Sequence, residues 1–147
     1  MRPTICLATM CKNESAFIRA ALQSVKPFVT SWSVFDTGST DGTQDIVRDE
    51  MKDLPGVLTE GVWEGWDKSR TRSIDLAKKS GCDWILLLDA DETISGEIPT
   101  TLDPDAEYWV TIQFGGITYT RPNLLSSRFK YEYRGVTHEA LWCIGEV

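Results

Sequence analysis

The sequence predicts an α/β fold: a mostly parallel central sheet flanked by helices, with a small added β region. Three observations carry this. Residues 84–92, WILLLDADE, form a short unbroken apolar run that ends abruptly in carboxylates. A strand buried on both faces of a parallel sheet has this pattern, and such strands present functional side chains at their carboxyl ends. Upstream, apolar runs alternate with helical stripes, as strand–helix–strand units require. After Thr93 the pattern changes to short β-like runs separated by turn residues.

In chain order, Thr4–Thr9 is apolar and partly β-branched and reads as the first strand. A helix follows from about Glu14 to Lys26, with Phe17, Ile18, Ala21, Leu22 and Val25 on one stripe and Pro27 as its stop. Ser31–Phe35 is a second strand ending at Asp36. The loop DTGSTDG, Asp36–Gly42, is a dense run of turn formers. Asp41 is placed to cap the next helix, with Gln44 as its reciprocal partner; that helix carries Val47, Met51 and Leu54 and ends at Pro55–Gly56. Val57–Glu60 is a third strand. Gly61–Trp66 is a tryptophan-rich loop. A helix over Asp67–Ser80 places Ile74 and Ala77 inward, with Gly81 as its C-cap. Beyond the 84–88 strand, Ile94–Asp105 reads as loop or a short helical turn. Glu107–Phe114 and Ile117–Thr120 flank Gly115–Gly116, a tight hairpin turn. Ser127–Tyr133 and Thr137–Ile144 are the last expected strands. The 147 residues read as one compact domain, with residues 1–92 as an α/β half and 93–147 as a β-rich half.

Composition narrows the function. The formal net charge of −7 disfavours extended contact with nucleic acid or an anionic membrane, though not a local basic patch. No apolar segment is long enough to span a bilayer and the first residues show no signal-peptide core, so a cytoplasmic location is the default expectation. Without a secretory signal, the Asn13–Glu14–Ser15 sequon carries no weight. The cysteines Cys6, Cys11, Cys82 and Cys143 have neither CxxC nor zinc spacing and read as buried free thiols.

The chemistry concentrates at strand ends. Asp89 and Asp91 sit two apart where a strand turns, and two such carboxylates can grip one hard divalent ion from the same side; magnesium or manganese suits an all-oxygen site completed by water and phosphate. The bland alternative is a solvated loop in which Asp91 or Glu92 caps a turn. The EF-hand pattern fails, because its glycine position holds Ile94. Asp36 can accept hydrogen bonds from a ribose or base, or instead cap its own loop. Neither GxGxxG after the first strand nor GxxxxGK[ST] is present. Lys68, Arg70 and Arg72 are candidate diphosphate or base contacts, or simply a charged helix face; Arg70 and Arg72 do not share a face cleanly. His138, the only histidine, adjoins Glu139. The two suit a third metal ligand and a general base, or a structural histidine with a charged neighbour, and the HExxH pattern is absent. Arg128, Tyr131 and Arg134 are weaker candidates near an acceptor or phosphate. Trp63 and Trp66, in a loop, suit stacking on a ligand better than the other tryptophans, which read as core.

Taken together, TICLATMCKNE (residues 4–14), VKPFV (25–29), VFDTGSTDGTQDIV (34–47), SRTRSIDLA (69–77), WILLLDADE (84–92) and YRGVTHE (133–139) resemble the family 2 glycosyltransferases, whose nucleotide-diphospho-sugar-binding fold is GT-A. DTGSTDGT and LLLDADE together carry most of the resemblance, which covers nearly the whole chain. It implies that Thr9 and Glu14 contact the nucleotide, that Asp36 lies near the base, and that Arg72 reaches the base or phosphates. It implies further that Asp89 lies near the ribose, that Asp91 binds the metal at the diphosphate, and that His138 and Glu139 lie near metal and acceptor, with Glu139 as the catalytic base. The implied activity is inverting transfer from a nucleoside-diphosphate sugar to a hydroxyl of a saccharide, lipid, protein or modified base, assisted by Mn2+ or Mg2+. The chain departs from the family in having Arg72–Ser73 where Arg-Asn is common, and many relatives carry further C-terminal structure that helps hold the acceptor. Two other readings stand beside it: a nucleotidyltransferase or sugar-nucleotide phosphohydrolase using the same ion, and a non-catalytic nucleotide-sugar-binding module.

Overall fold

The computed structural model describes residues 2–135 and 140–147; His138 and Glu139 therefore lie outside the described residues. The elements run β1 (Ile5–Cys11), α1 (Ile18–Val25), a 3-10 turn (Lys26–Phe28), β2 (Ser31–Asp36), α2 (Thr43–Glu50) and β3 (Gly56–Glu60). They continue with α3 (Trp66–Lys78), β4 (Trp84–Leu87), β5 (Thr93–Ser95), β6 (Tyr108–Phe114), β7 (Ile117–Ser126), β8 (Phe129–Arg134) and β9 (Ala140–Glu146).

One mixed sheet of seven strands organises the fold, in the order β3-β2-β1-β4-β7-β6-β5; β8 and β9 form a separate two-stranded sheet. The first four strands are parallel. The next joins are antiparallel, so most of the added β region extends the central sheet. Ile5, Leu7 and Val34 face α1 and α2 on one side, with Ile18, Leu22, Val25 and Val47. On the other, Cys6, Ala8 and Ile85 pack with Ile74 and Ala77 of α3. The unbroken apolar run of residues 84–88 follows from this: both faces of β4 are covered. At its amino end Asp83 clasps β1, accepting from Thr4 N at 3.0 Å and Thr4 Oγ1 at 2.8 Å.

Several local expectations are corrected. The helix expected from Glu14 begins at Ile18, because the backbone of Glu14 and Ser15 is tied to the neighbouring loop (N–H to Thr43 Oγ1 and to Asp41 Oδ2, both 3.0 Å) and Asn13 adopts a positive φ of 53°. Phe17, expected on the buried stripe, is 58% exposed. The Asp41–Gln44 capping box does not form. Gly42 occupies the N-cap of α2, Asp41 accepts from Thr43, and Gln44 turns to Asp36 and Ser39. Within the expected loop 94–105, Thr93–Ser95 pairs with β6.

The strand expected to stop at Thr120 runs on to Ser126 through Pro122. Tyr108 pairs with Leu124 and Val110 with Arg121, so Pro122 and Asn123 form a bulge opposite Trp109. A proline is tolerated in a strand at such a place, where no ladder bond is asked of its nitrogen. Gly115 and Gly116 take φ of 52° and 83° in the β6–β7 turn, as expected. Gly56 is required for a different reason: a Cβ there would lie 2.2 Å from the Trp32 indole, which donates to the carbonyls of Met51 and Leu54. Cys6 and Cys11 are buried free thiols as expected, whereas Cys82 is half-buried and Cys143 exposed. Among the described residues no helix is long and apolar enough to cross a membrane.

Candidate functional site

Strands β1, β2 and β4 are parallel neighbours, so their carboxyl ends open on the same edge of the sheet, the place where open α/β sheets bind ligands. The loops there are bound to one another. Asn13 N donates to Ser39 Oγ at 2.8 Å and Thr40 N to Asn13 Oδ1 at 2.8 Å. With the Glu14–Thr43 and Ser15–Asp41 bonds, the loop after β1 is fastened to the loop after β2 along its length. Asp41 is held well below the usual carboxylate range, first by the Thr43 hydroxyl and then by Ser15.

Asp36 is fully buried. Its Oδ1 accepts from Gly38 N (2.9 Å) and Ser39 N (2.8 Å), and its Oδ2 from Ser39 Oγ (2.6 Å) and the Cys11 thiol (3.4 Å). Burial, then the Asp36 charge, push that thiol up, so Cys11 stays a donor. Of the two roles open to Asp36, the loop-capping one is therefore built into the fold.

Thr9 is buried, and its Oγ1 has no hydrogen-bond partner among the described residues. Glu14 is partly exposed. Its carboxyl is raised, first by partial burial and then by the charges of Asp91, Asp41 and Asp89. Glu14, after β1, is thus within electrostatic reach of Asp89 and Asp91, on the turn after β4. A cavity of ≈270 Å3 is lined by Met10, Cys11, Lys12, Glu14, Thr37, Trp63 and Trp66. The Trp63 and Trp66 rings meet edge to face at 4.7 Å, and both remain substantially exposed.

The turn after β4 is braced from both α3 and β7. Asp89 accepts from Arg70 Nη1 at 2.8 Å, and Arg121 Nη2 lies 3.9 Å from its other oxygen. The Arg70 guanidinium also lies 5.4 Å from the Trp66 ring and 5.7 Å from the Tyr133 ring. Glu92 is buried; its Oε2 accepts from Asp89 N at 3.1 Å, and its Oε1 accepts from both Tyr119 OH and Arg121 Nη2. Asp91 makes no side-chain hydrogen bond or ion pair among the described residues. It lines a groove of ≈420 Å3 with Phe17, Ala20, Thr93, Gln113 and the β6–β7 turn.

Arg70, rather than Arg72, reaches the acidic turn. Arg72 lies over the Phe35 ring at 5.1 Å and 3.4 Å from Glu64 Oε1, half exposed. Glu14 thus lies within electrostatic reach of Asp89 and Asp91, and Thr9 and Asp36 stand in the ends of β1 and β2. Glu92, expected from the sequence as a possible turn cap, does close the turn through Asp89 N, and two residues that sequence reasoning did not single out, Tyr119 and Arg121, complete the site. The only signal for the last two is their spacing, two apart and so on one face of a strand.

Among the described residues no group of three or more His, Cys, Asp or Glu is arranged to hold an ion. The oxygen chemistry nevertheless fits a magnesium- or manganese-type cation: Asp91 has a carboxylate with no partner among the described residues, and Asp89 adjoins it on the same turn. Such ions keep several waters and share phosphate oxygens, so a site needs only one or two carboxylates.

The glycosyl transferase family 2 model matches residues 6–140. The chain belongs to that family. It is 33% identical over 99 residues to the SPbeta prophage-derived glycosyltransferase SunS of Bacillus subtilis, covering 65% of this chain and 22% of that protein. It is 30% identical over 151 aligned positions to a TPR repeat-containing protein of Synechococcus elongatus, covering 93% of this chain and 36% of that one. The chain therefore spans well under half the length of these relatives. Among solved structures, S. aureus TarS 1-349 in complex with UDP-GlcNAc shares the fold, with a TM-score of 0.53 and 22% identity over 62% of this chain and 27% of that one. The α/β architecture with its mixed sheet is thus that of the GT-A nucleotide-sugar transferases.

Proposed function

We propose that this chain is the donor- and metal-binding domain of an inverting glycosyltransferase that moves a sugar from a nucleoside-diphosphate sugar to an acceptor hydroxyl. Family membership supports this, and one observation carries it to these residues: Asp91, at the carboxyl end of β4, is left without a protein partner among the described residues, near enough to Glu14 for its charge to raise that carboxyl. An aromatic-walled cavity adjoins Glu14, of a kind suited to a flat nucleobase.

In this reading Asp91, with Asp89 beside it, holds a magnesium or manganese ion. Such an ion, when bound, stabilises negative charge on the departing diphosphate. Asp89 also faces the ribose; Thr9, Asp36 and Arg72 frame the nucleotide, with Asp36 acting largely through the loop it organises. The acceptor hydroxyl attacks the anomeric carbon on the side opposite the diphosphate. The new carbon–oxygen bond forms as the sugar–phosphate bond breaks, the electron pair leaves on the diphosphate, and the anomeric configuration inverts. Glu139 takes the hydroxyl proton and His138 completes the metal or acceptor side; both assignments rest on the family resemblance.

The S. aureus TarS complexes contain UDP and UDP-GlcNAc, which makes UDP-sugars the first donors to try. Incubation with labelled sugar nucleotides and a panel of hydroxyl acceptors is expected to release free nucleoside diphosphate and an inverted glycoside. Pyrophosphate release would indicate nucleotidyl transfer instead. Glu139→Gln is expected to slow transfer by roughly 10²–10⁴-fold while donor affinity stays near wild type; unchanged turnover removes Glu139 from the base role.

A further inference from the structure

The carboxylate of Glu92 is almost wholly buried, its side chain 4% exposed. A charge in that position is costly unless every lone pair is used. Here each oxygen has partners of a different origin. One accepts the Asp89 backbone N–H within the acidic turn; the other accepts Tyr119 OH and Arg121 Nη2, both from β7 of the antiparallel half. Burial first, then the hydrogen bond to Glu92, raise the Tyr119 phenol to about 12, so it remains a donor. Arg121 also packs over the Tyr119 ring at 5.3 Å and approaches Asp89 at 3.9 Å. Asp89 thus sits between two guanidiniums, Arg70 from α3 and Arg121 from β7, and the turn that carries Asp91 is anchored at both ends.

We propose that Glu92, held by Arg121 and Tyr119, is a positioning residue that sets the Asp89–Asp91 turn in the geometry a divalent cation requires. This rests on the metal reading of Asp91 above. The bonds all converge on the backbone and side chain of the turn, whereas Asp91 itself projects free of them. A strut from β7, the antiparallel neighbour of β4, thereby holds the turn while leaving the Asp91 carboxylate open. Groups bonded directly to a metal's ligands typically change affinity by about 10–100-fold when lost, and a brace on the turn that carries the ligand is expected toward the lower end of that range.

The test is Mn2+ binding to the 147-residue chain, followed by electron paramagnetic resonance alone and with UDP, alongside thermal unfolding. Glu92→Gln and Tyr119→Phe are expected to weaken Mn2+ binding by roughly tenfold or more and a few-fold respectively, beyond any change in folded fraction. Arg121→Lys is expected to retain more affinity than Arg121→Ala. Folded Glu92→Gln and Tyr119→Phe with wild-type Mn2+ affinity overturn the proposal, because a merely structural role moves only the unfolding temperature. If Glu92→Gln does not fold, Tyr119→Phe and Arg121→Lys decide it by the same comparison. Wild-type protein that binds no Mn2+ in either condition overturns the metal reading itself, and the strut with it.

Discussion

Two buried carboxylates stand at the carboxyl ends of β2 and β4, the strands on either side of β1, and are satisfied in opposite ways. Asp36, after β2, draws its donors mainly from its own loop, from the backbones of Gly38 and Ser39 and the hydroxyl of Ser39. Glu92, after β4, takes one bond from its own turn and two from residues 27 and 29 positions further along. The first loop shapes itself as soon as β2 ends. The second is completed only when β7 has docked against β4. The parallel half supplies the candidate ligands, and the antiparallel half fixes how the most important of them are held.

The contrast can be broken at either end. The largest stability effect is expected for Arg121→Met, which leaves the buried Glu92 charge without its cation. Breaking such a pair costs about 3–5 kcal/mol when both partners are buried, and the partial exposure of Arg121, 37%, moves the expected value toward the low end. Urea titration measures it. Asp36→Ala is expected to cost less, about 1–3 kcal/mol, since it orphans local donors that water can partly reach once the loop relaxes. A larger loss for Asp36→Ala than for Arg121→Met would reverse the comparison.

The smallest effect is one of pH. Burial and the neighbouring Asp91, Asp41 and Asp89 raise the Glu14 carboxyl, so its ionised form destabilises the folded chain. That penalty is fully present above the raised value and disappears below the ordinary glutamate range. Glu14→Gln is therefore expected to be slightly more stable than wild type at neutral pH, with the difference fading as pH falls through that window. A difference that grows on acidification would contradict this placement of Glu14.

The same local–remote distinction explains what could be read from the sequence. WILLL announces a doubly covered strand because burial on both faces leaves no alternation, and DTGSTDG announces a turn because its donors and acceptors are near neighbours. The expected Asp41–Gln44 cap does not form because Asp41 is taken by Thr43 and Ser15, and Gln44 by Asp36 and Ser39. The early start expected for α1 fails for a related reason: fastening to the second loop overrides helical periodicity at Glu14 and Ser15. Pro122 hid the length of β7, since only pairing with β6 shows that it occupies a bulge. Tyr119 and Arg121 carried no motif at all. Their role exists only through a contact that the order of strands β4 and β7 creates. The expected pairing of His138 and Glu139 with the site falls outside the described residues.

The central claim is that the tip of β4 holds a cation through Asp91. Calorimetric titration of UDP into wild-type and Asp91→Ala protein, each with and without Mn2+, tests it most directly. Asp91 makes no side-chain bond among the described residues, so the variant is expected to unfold at nearly the wild-type temperature. The expected result is UDP binding that requires Mn2+ in the wild type and is lost in Asp91→Ala. Binding of equal strength in folded Asp91→Ala, with the same dependence on Mn2+, would contradict the claim.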